Sequence, residues 1–181
     1  MKTLIIVGGL SGVGKSYTAR MLHSMLENAN YFDSDLFAKE FIENQGIDFI
    51  GLSLPEQTQL RLGIHQAKID KLIKDFNQSS TIILDTCFDL KESRDLFYEF
   101  AHSYGIKMQV IEVVCPEHEV KKKIFDNPHE DHRMIGDKES RWKMYNQMKK
   151  RWQHITRSHT VIESDDDVNT QLKDFIKAKL S

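Results

Sequence analysis

The stretch GGLSGVGKS, residues 8–16, decides how this chain is read. It carries the spacing G-x-x-x-x-G-K-S from Gly9 to Ser16, between an apolar run, TLIIV at 3–7, and a helical pattern, SYTARMLHSML at 16–26. Strand, glycine loop and helix in that order form a cradle for phosphate. Gly9, Gly12 and Gly14 let the backbone bend until successive N–H groups converge on an anion, and the helix adds the positive end of its dipole. Ser11, Val13 and Tyr17 complete the segment expected to lie along a nucleotide. Lys15 is spaced to reach the β- and γ-phosphates, and the Ser16 hydroxyl to ligate Mg²⁺.

Outward from the loop, apolar runs bounded by turn residues recur: KTLIIVG at 2–8, NYFD at 30–33, STIILD at 80–85, KMQVIEVVC at 107–115 and HTVIE at 159–163. Continuous Val/Ile-rich runs suit strands covered on both faces. Helical patterns lie between them, at about 14–28, 34–45, 55–77, 90–103, 117–126, 137–155 and 168–180. This alternation predicts a parallel sheet with helices on both sides, in one α/β domain over 1–181. An insertion at about 44–79 separates two carboxylate-bearing strand ends. A polar stretch, DNPHEDHRMIGD at 126–137, belongs to a loop or lid spanning about 121–137. SDDD at 164–167 is expected to cap the last helix.

The 181 residues are 40% hydrophobic and 29% charged, the composition of a globular domain with its own core. A net charge of −2 offers no general attraction to nucleic acid or to an anionic membrane. The apolar runs are too short to span a bilayer. The first of them ends in a glycine loop with no cleavage site, so a cytoplasmic protein is expected rather than a secreted one. Cys87 and Cys115, the two cysteines, fall at the ends of separate strands and are expected to be reduced.

Many proteins use such a loop, so its partners must decide the chemistry. FDSD puts Asp33 and Asp35 at the end of the second strand, and ILDT puts Asp85 at the end of the third. In an open α/β sheet these ends face the ligand. One carboxylate there can help hold Mg²⁺, which makes Asp85, with Ser16, the metal candidate. Another can accept the proton of an attacking hydroxyl. Asp35 and Asp33 are candidates for that role, although either could instead cap the helix that follows. No N-K-x-D or T-K-x-D stretch for guanine is present, and Asp85 precedes TCF rather than x-x-G, which disfavours a GTPase switch.

Together GGLSGVGKS, SDLFAKEF, ILDTCFDLKESR and VIEVVCPEHEVKKKI, with a weaker echo in GDKESRWKMYNQM, resemble the small P-loop kinases grouped with polynucleotide 5′-kinase and chloramphenicol phosphotransferase. The resemblance covers most of residues 2–150 in order. It implies strand order 2-3-1-4-5, ATP as donor, Asp35 as general base, Lys15 and Ser16 on phosphate and magnesium, and Asp85 as the strand-three acid. Two departures from the family pattern stand out. Ala38 stands where many relatives carry arginine, and Lys121, Lys122 and Lys123 stand where relatives carry lid arginines. Lys123 and Arg133 are the lid candidates, and Arg133 or Arg141 could supply the missing guanidinium.

The function expected is therefore transfer of the γ-phosphoryl group of ATP to a hydroxyl of a small molecule. A 5′-hydroxyl polynucleotide kinase is the second possibility, disfavoured by charge. A nucleotide-binding regulatory protein with weak or no catalysis is the third. Three further groups bear on these choices. In the 55–77 helix, Leu62, Ile69, Leu72 and Phe76 form an apolar stripe with His65 on it. There a half-buried, hydrogen-bonded histidine is expected, and Arg61 and Lys68 are expected to face solvent rather than an anionic acceptor. Trp142, Tyr145, Met148 and Trp152 are expected in the core of the 137–155 helix. His129 and His132 lack a third ligand, so no metal site is expected there.

Overall fold

The computed structural model describes residues 1–48, 51–126 and 137–180. Among them the elements run β1 (Thr3–Gly8), α1 (Lys15–Met25), β2 (Ala29–Asp33), α2 (Ser34–Asn44), α3 (Leu54–Asp75), β3 (Thr81–Asp85), α4 (Lys91–Ser103), β4 (Lys107–Val114), α5 (Glu117–Asp126), α6 (Lys138–Arg151), β5 (Thr160–Glu163) and α7 (Val168–Lys179). The sheet is parallel throughout, in the order β2-β3-β1-β4-β5.

β1 is central and buried along its whole length, which is what an uninterrupted apolar run in a parallel sheet requires. Its side chains alternate between two cores. Ile5 and Val7 join Leu22 of α1, Val120 and Ile124 of α5, and Leu172 and Phe175 of α7. Leu4 and Ile6 join Ile69, Leu72 and Phe76 near the C-terminal end of α3, with Phe97 and Phe100 of α4. Helices thus cover both faces. A smaller cluster of Ala38, Ile42 and Ile64 packs α2 on α3.

Register then sets out the site. Val7 lies opposite Asp85, and Asp85 lies opposite Asp33. The three strands end level, so the glycine loop, the start of α2 and the Thr86 turn share one edge of the sheet.

The expected elements differ mainly at their ends. α6 stops at Arg151 instead of continuing to 155, because the next residues bind the turn after β3. The Gln153 N–H donates to Asp89 O at 3.0 Å, and Gln153 Oε1 accepts from the Lys91 N–H. Trp152 is therefore the extended cap of α6, packed at the edge of the α3–α4 core rather than on a helical stripe.

Arg94 of α4 locks this corner. It is buried, and its guanidinium donates to Phe88 O at 2.8 Å, Asp89 O at 3.1 Å and His154 O at 3.1 Å. Replacing it with methionine leaves those carbonyls without their donor, at about 1–3 kcal/mol for a buried polar group left unpaired. Arg94→Met is expected to lower the unfolding free energy in urea by about 3 kcal/mol, mostly as a lower midpoint rather than a changed slope.

Candidate active site

The glycine loop has the shape its sequence implies. Gly9 has φ 149°, and a Cβ there would come within 2.5 Å of Val113 O on β4. Gly14 caps α1 at φ 106°, ψ 14°, and no side chain caps that helix. The first N–H groups of α1 therefore face the loop, where an anion can satisfy them. Lys15 is buried to 8% exposure, and its Nζ donates to Leu10 O at 3.0 Å, folding the ammonium over the loop. Ser164, just after β5, supports the loop from the far side by donating through Oγ to Val13 O. Lys123 Nζ reaches Ser164 Oγ at 3.0 Å and Cys115 Sγ at 3.2 Å.

A cleft of about 610 Å³ opens over this loop, within the range that holds a small ligand. Ser11, Gly12, Gly14, Lys15, Ser16 and Tyr17 line one wall, and Ser164 and Asp166 to Asn169 line another. Asp35, Lys123 and Arg141 also border it. Gly9 and Val13 do not line the cleft, since both are buried beneath the loop and shape it from below.

Asp85 does not line the cleft; it is buried, 5% exposed, next to Ser16, which does. Burial raises its carboxyl pKa, while Lys15 and a hydrogen bond from Ser16 pull it down. Tyr31 Oη also donates to it at 3.2 Å. A carboxylate beside a hydroxyl is a set of hard oxygens that suits Mg²⁺. No group of three or more His, Cys, Asp or Glu that could by itself hold a metal ion exists among the described residues. An ion at Ser16 and Asp85 would therefore take its remaining ligands from phosphate and water, the usual way Mg²⁺ is held.

The two carboxylates after β2 have different surroundings. Asp33 is the N-cap of α2, and its Oδ1 accepts from the N–H groups of Asp35 and Leu36, both at 3.0 Å. Asp35 is exposed in the first turn, and it borders both the cleft and a second, smaller cavity beside it.

That second cavity, about 170 Å³, corrects the expectation for α3. Lys68 is not at the surface but 5% exposed, and Arg61 is half-buried; both line the cavity, with His65 between them. The apolar stripe of α3 packs inward through Ile69, Leu72 and Phe76, which turns the adjacent face, residues 61, 64, 65 and 68, toward α2 and α6. The i, i+7 spacing of Arg61 and Lys68 around Ile64 and His65 was the available signal.

Lys68 makes no hydrogen bond or ion pair among the described residues, and burial lowers its pKa against the pull of Asp35. His65 is half-buried as expected, but its Nδ1 has no hydrogen-bond partner among the described residues. Burial and the nearby Lys68 push its pKa down to about 3, so the ring is neutral. α6 supplies Arg141, Met144, Met148 and Arg151 to the opposite wall, and Arg151 Nε pairs with Asp89 at 2.8 Å. Cys87 also borders the cavity; its thiol is pushed up to about 11 by burial and stays protonated at neutral pH. Both cysteines are unpaired.

Tyr145 and Met148 are buried as expected, and Trp142 stacks on Tyr145 at 5.0 Å. Arg133, His129 and His132 lie outside the described residues.

A family model described as 6-phosphofructo-2-kinase matches residues 1–180. The chain belongs to that family. It is a P-loop kinase by fold and by family, and solved structures agree on the fold. The APS kinase of Mycobacterium tuberculosis, solved with AMPPNP and APS, superposes with a TM-score of 0.67 at 16% identity, covering 99% of this chain and 98% of that one. A sugar kinase from a Janibacter species reaches 0.68 at 12% identity, with 98% and 94% covered. A gluconokinase from Sinorhizobium meliloti gives 0.61 at 11%, with 99% and 93% covered. No curated protein sequence matches the chain at a significant level. Among the described residues no helix is long and apolar enough to cross a membrane.

Lys15→Ala removes the cation nearest the loop's phosphate position. The expected result is loss of the rise in melting temperature that ATP with Mg²⁺ produces in the wild-type protein, read by differential scanning fluorimetry. An unchanged rise would put the nucleotide elsewhere.

Proposed function

We propose that this chain transfers the γ-phosphoryl group of ATP to a hydroxyl of a small anionic acceptor. The observation that carries this reading is the meeting of two unlike cavities at Asp35: one floored by the glycine loop, the other walled by cations. Arg61, Lys68, Arg141 and Arg151 face the second cavity against Asp35 and Asp89, and Asp89 is already engaged with Arg151. That balance favours an anion. At about 170 Å³ the cavity suits a compact molecule rather than a stacked nucleic-acid strand. The family description supports the same choice, since it names a kinase of a phosphorylated sugar. ATP as donor is supported by the missing guanine-reading stretch and by the AMPPNP held in the APS kinase structure.

The chain's own groups divide the work. The loop N–H groups and Lys15 hold the β- and γ-phosphates in place. Ser16 and Asp85 would hold Mg²⁺, which when bound neutralises charge on the phosphate oxygens. Asp35, with its carboxylate on both cavities, takes up the proton of the acceptor hydroxyl as that oxygen bonds to phosphorus. Asp33 fixes the first turn of α2, and so the direction of Asp35, through its cap. Lys68 and Arg61 draw the acceptor's anionic end away from Asp35 and leave the hydroxyl toward it.

Asp35→Asn is expected to keep ATP affinity and lose about 10²–10⁴-fold in transfer rate, measured with γ-labelled ATP across phosphorylated sugars, sugar acids and neutral sugars. A rate equal to wild type would remove Asp35 as the base. Label moving only to neutral sugars would remove the anionic acceptor.

Lys68 separates stability from binding. A lysine with a lowered folded pKa costs stability while it is charged, and that cost lifts as pH rises through the folded pKa toward 10.5. Lys68→Met is therefore expected to raise unfolding free energy at neutral pH by about 1 kcal/mol. It should also raise the acceptor KM at least tenfold, about the weight of one charge-assisted hydrogen bond. In wild type the acceptor KM should climb as pH passes the lowered lysine pKa. In Lys68→Met it should stay flat over the same range.

A further inference from the structure

Resting on the kinase reading above, we infer that the acceptor is a hydroxy acid with a hydrocarbon body: an anionic group at one end, a hydroxyl at the other and few polar groups between. The two helical walls of the second cavity carry this. Arg61 and Lys68 of α3 line it with Ile64 between them in sequence, and Arg141 and Arg151 of α6 line it with Met144 and Met148 between. Residues three, four or seven apart share one face of a helix. Each wall is therefore banded, with charge at its ends and hydrocarbon in the middle.

α2 completes the middle band. Ala38 and Ile42 line the cavity too, and they pack against Ile64. Ala38, Ile42, Ile64 and Met148 are buried, and Met144 is half-buried. A methionine side chain is unbranched and adjusts to irregular apolar shapes, so the band can close on a chain or a ring. The charged ends differ in their neighbours. Asp35 and Arg141 border the nucleotide cleft as well as this cavity, which makes theirs the end where the hydroxyl meets phosphate. Arg151 pairs with Asp89 at 2.8 Å, and Arg61 is within electrostatic reach of both. The acceptor's anion belongs toward that second end, on the Arg61 side.

A polyol fits these walls poorly. It brings several hydroxyls, each of which gives up water on entry and needs a partner in exchange. Among the described residues, the neutral polar side chains lining the cavity are Ser11, Thr86, Cys87 and His65. Thr86 Oγ1 already accepts from Ser34, a thiol is a weak donor, and the neutral His65 ring has its Nδ1 buried. A methylene has no hydrogen bonds to lose, and each CH₂ covered by the band is worth about fourfold in affinity. The phosphorylated sugar named in the family description shares the anion; the body is where this cavity differs.

In the step, the hydroxyl oxygen of such an acid forms a bond to the γ-phosphorus and the bond from that phosphorus to the β–γ bridging oxygen breaks. ADP leaves, and the hydroxyl proton goes to Asp35. The product is a phosphate monoester that keeps its acid group. Ala38 has a consequence for this choice, since an arginine at that position would set a charge against the middle band.

The test gives the full chain γ-labelled ATP with Mg²⁺ and compares acceptors that differ in body. Straight-chain hydroxy acids of four and six carbons and a hydroxycyclohexane carboxylate are set against gluconate and a hexose phosphate, with hexanediol as the uncharged control. The best hydrocarbon acid is expected to exceed gluconate, the hexose phosphate and the diol at least tenfold in kcat/KM, and the six-carbon acid to exceed the four-carbon acid about tenfold. Met144→Gln and Ala38→Ser place a polar group in the band with little change of volume. Each is expected to raise the KM for the hydrocarbon acid about fivefold and to leave the KM for ATP within twofold. Gluconate or the hexose phosphate labelled as well as the hydrocarbon acids would overturn the inference and leave the kinase reading standing. An unchanged KM for the hydrocarbon acid in both variants would make the band packing alone, and overturns it too. Equal labelling of the diol removes the anionic end. If ATP binds and no acceptor is labelled, the kinase reading fails and this inference falls with it.

Discussion

The pairing of β1 with β3 is the constraint on which the site depends. Ile5 faces Ile83 and Ile6 faces Leu84 across that ladder, and successive pairs enter opposite cores. A slip of one residue would turn each of these side chains to the wrong face, so two separate cores resist it together. Because the register holds, Val7 and Asp85 end level, and the Thr86 N–H continues the ladder by donating to Val7 O at 3.1 Å. Ser34 Oγ then donates to Thr86 Oγ1 at 3.0 Å, joining the start of α2 to the same turn. The approach of Asp85 to Ser16, and of Asp35 to the glycine loop, is inherited from apolar packing several residues away.

That packing also carries charges that would not stay buried on their own. Asp85 and Lys68 have pKa values displaced toward their neutral forms by desolvation, one upward and one downward. Each sits on an element that core residues hold in place: Leu84 beneath Asp85, and Ile69 and Leu72 beside Lys68. A fold optimised for stability alone would put an apolar side chain at position 68. A buried lysine at that position is the stability cost that the proposed anion site would carry.

Much of this was legible in the sequence, for identifiable reasons. The glycine loop, the strand-end carboxylates and the parallel α/β arrangement follow from local patterns of apolar runs and turn residues, while the strand order came from the resemblance to the small P-loop kinases. The wall of the second cavity did not, because it is built from faces of helices distant in sequence. In α6 the eye falls on Trp142, Tyr145 and Trp152, while the residues that line the cavity are Arg141, Met144, Met148 and Arg151, at spacings of three, four and three. Both stripes are helical. Choosing between them needs to know which side of α6 meets α3, and no local pattern carries that. Spacing alone left both Asp33 and Asp35 as candidates for base or cap, and only the family resemblance favoured Asp35 as the base. The hydrogen bonds from the Asp35 and Leu36 N–H groups to Asp33 Oδ1 make Asp33 the cap.

The two departures from the small-kinase pattern fit together once the helices are placed. Where relatives of that pattern carry an arginine, α2 offers Ala38, which lines the second cavity. Positive charge reaches that space from α3 and α6 instead. The lysine of the lid segment has other work as well: Lys123 holds Ser164, and Ser164 holds the glycine loop at Val13. A lysine suits that role, since a compact ammonium can serve several acceptors from one point. The arginines that border the cavity, Arg141 and Arg151, stand on α6, a helix capped at one end by Asp137 and pinned at the other through Arg151 and Asp89.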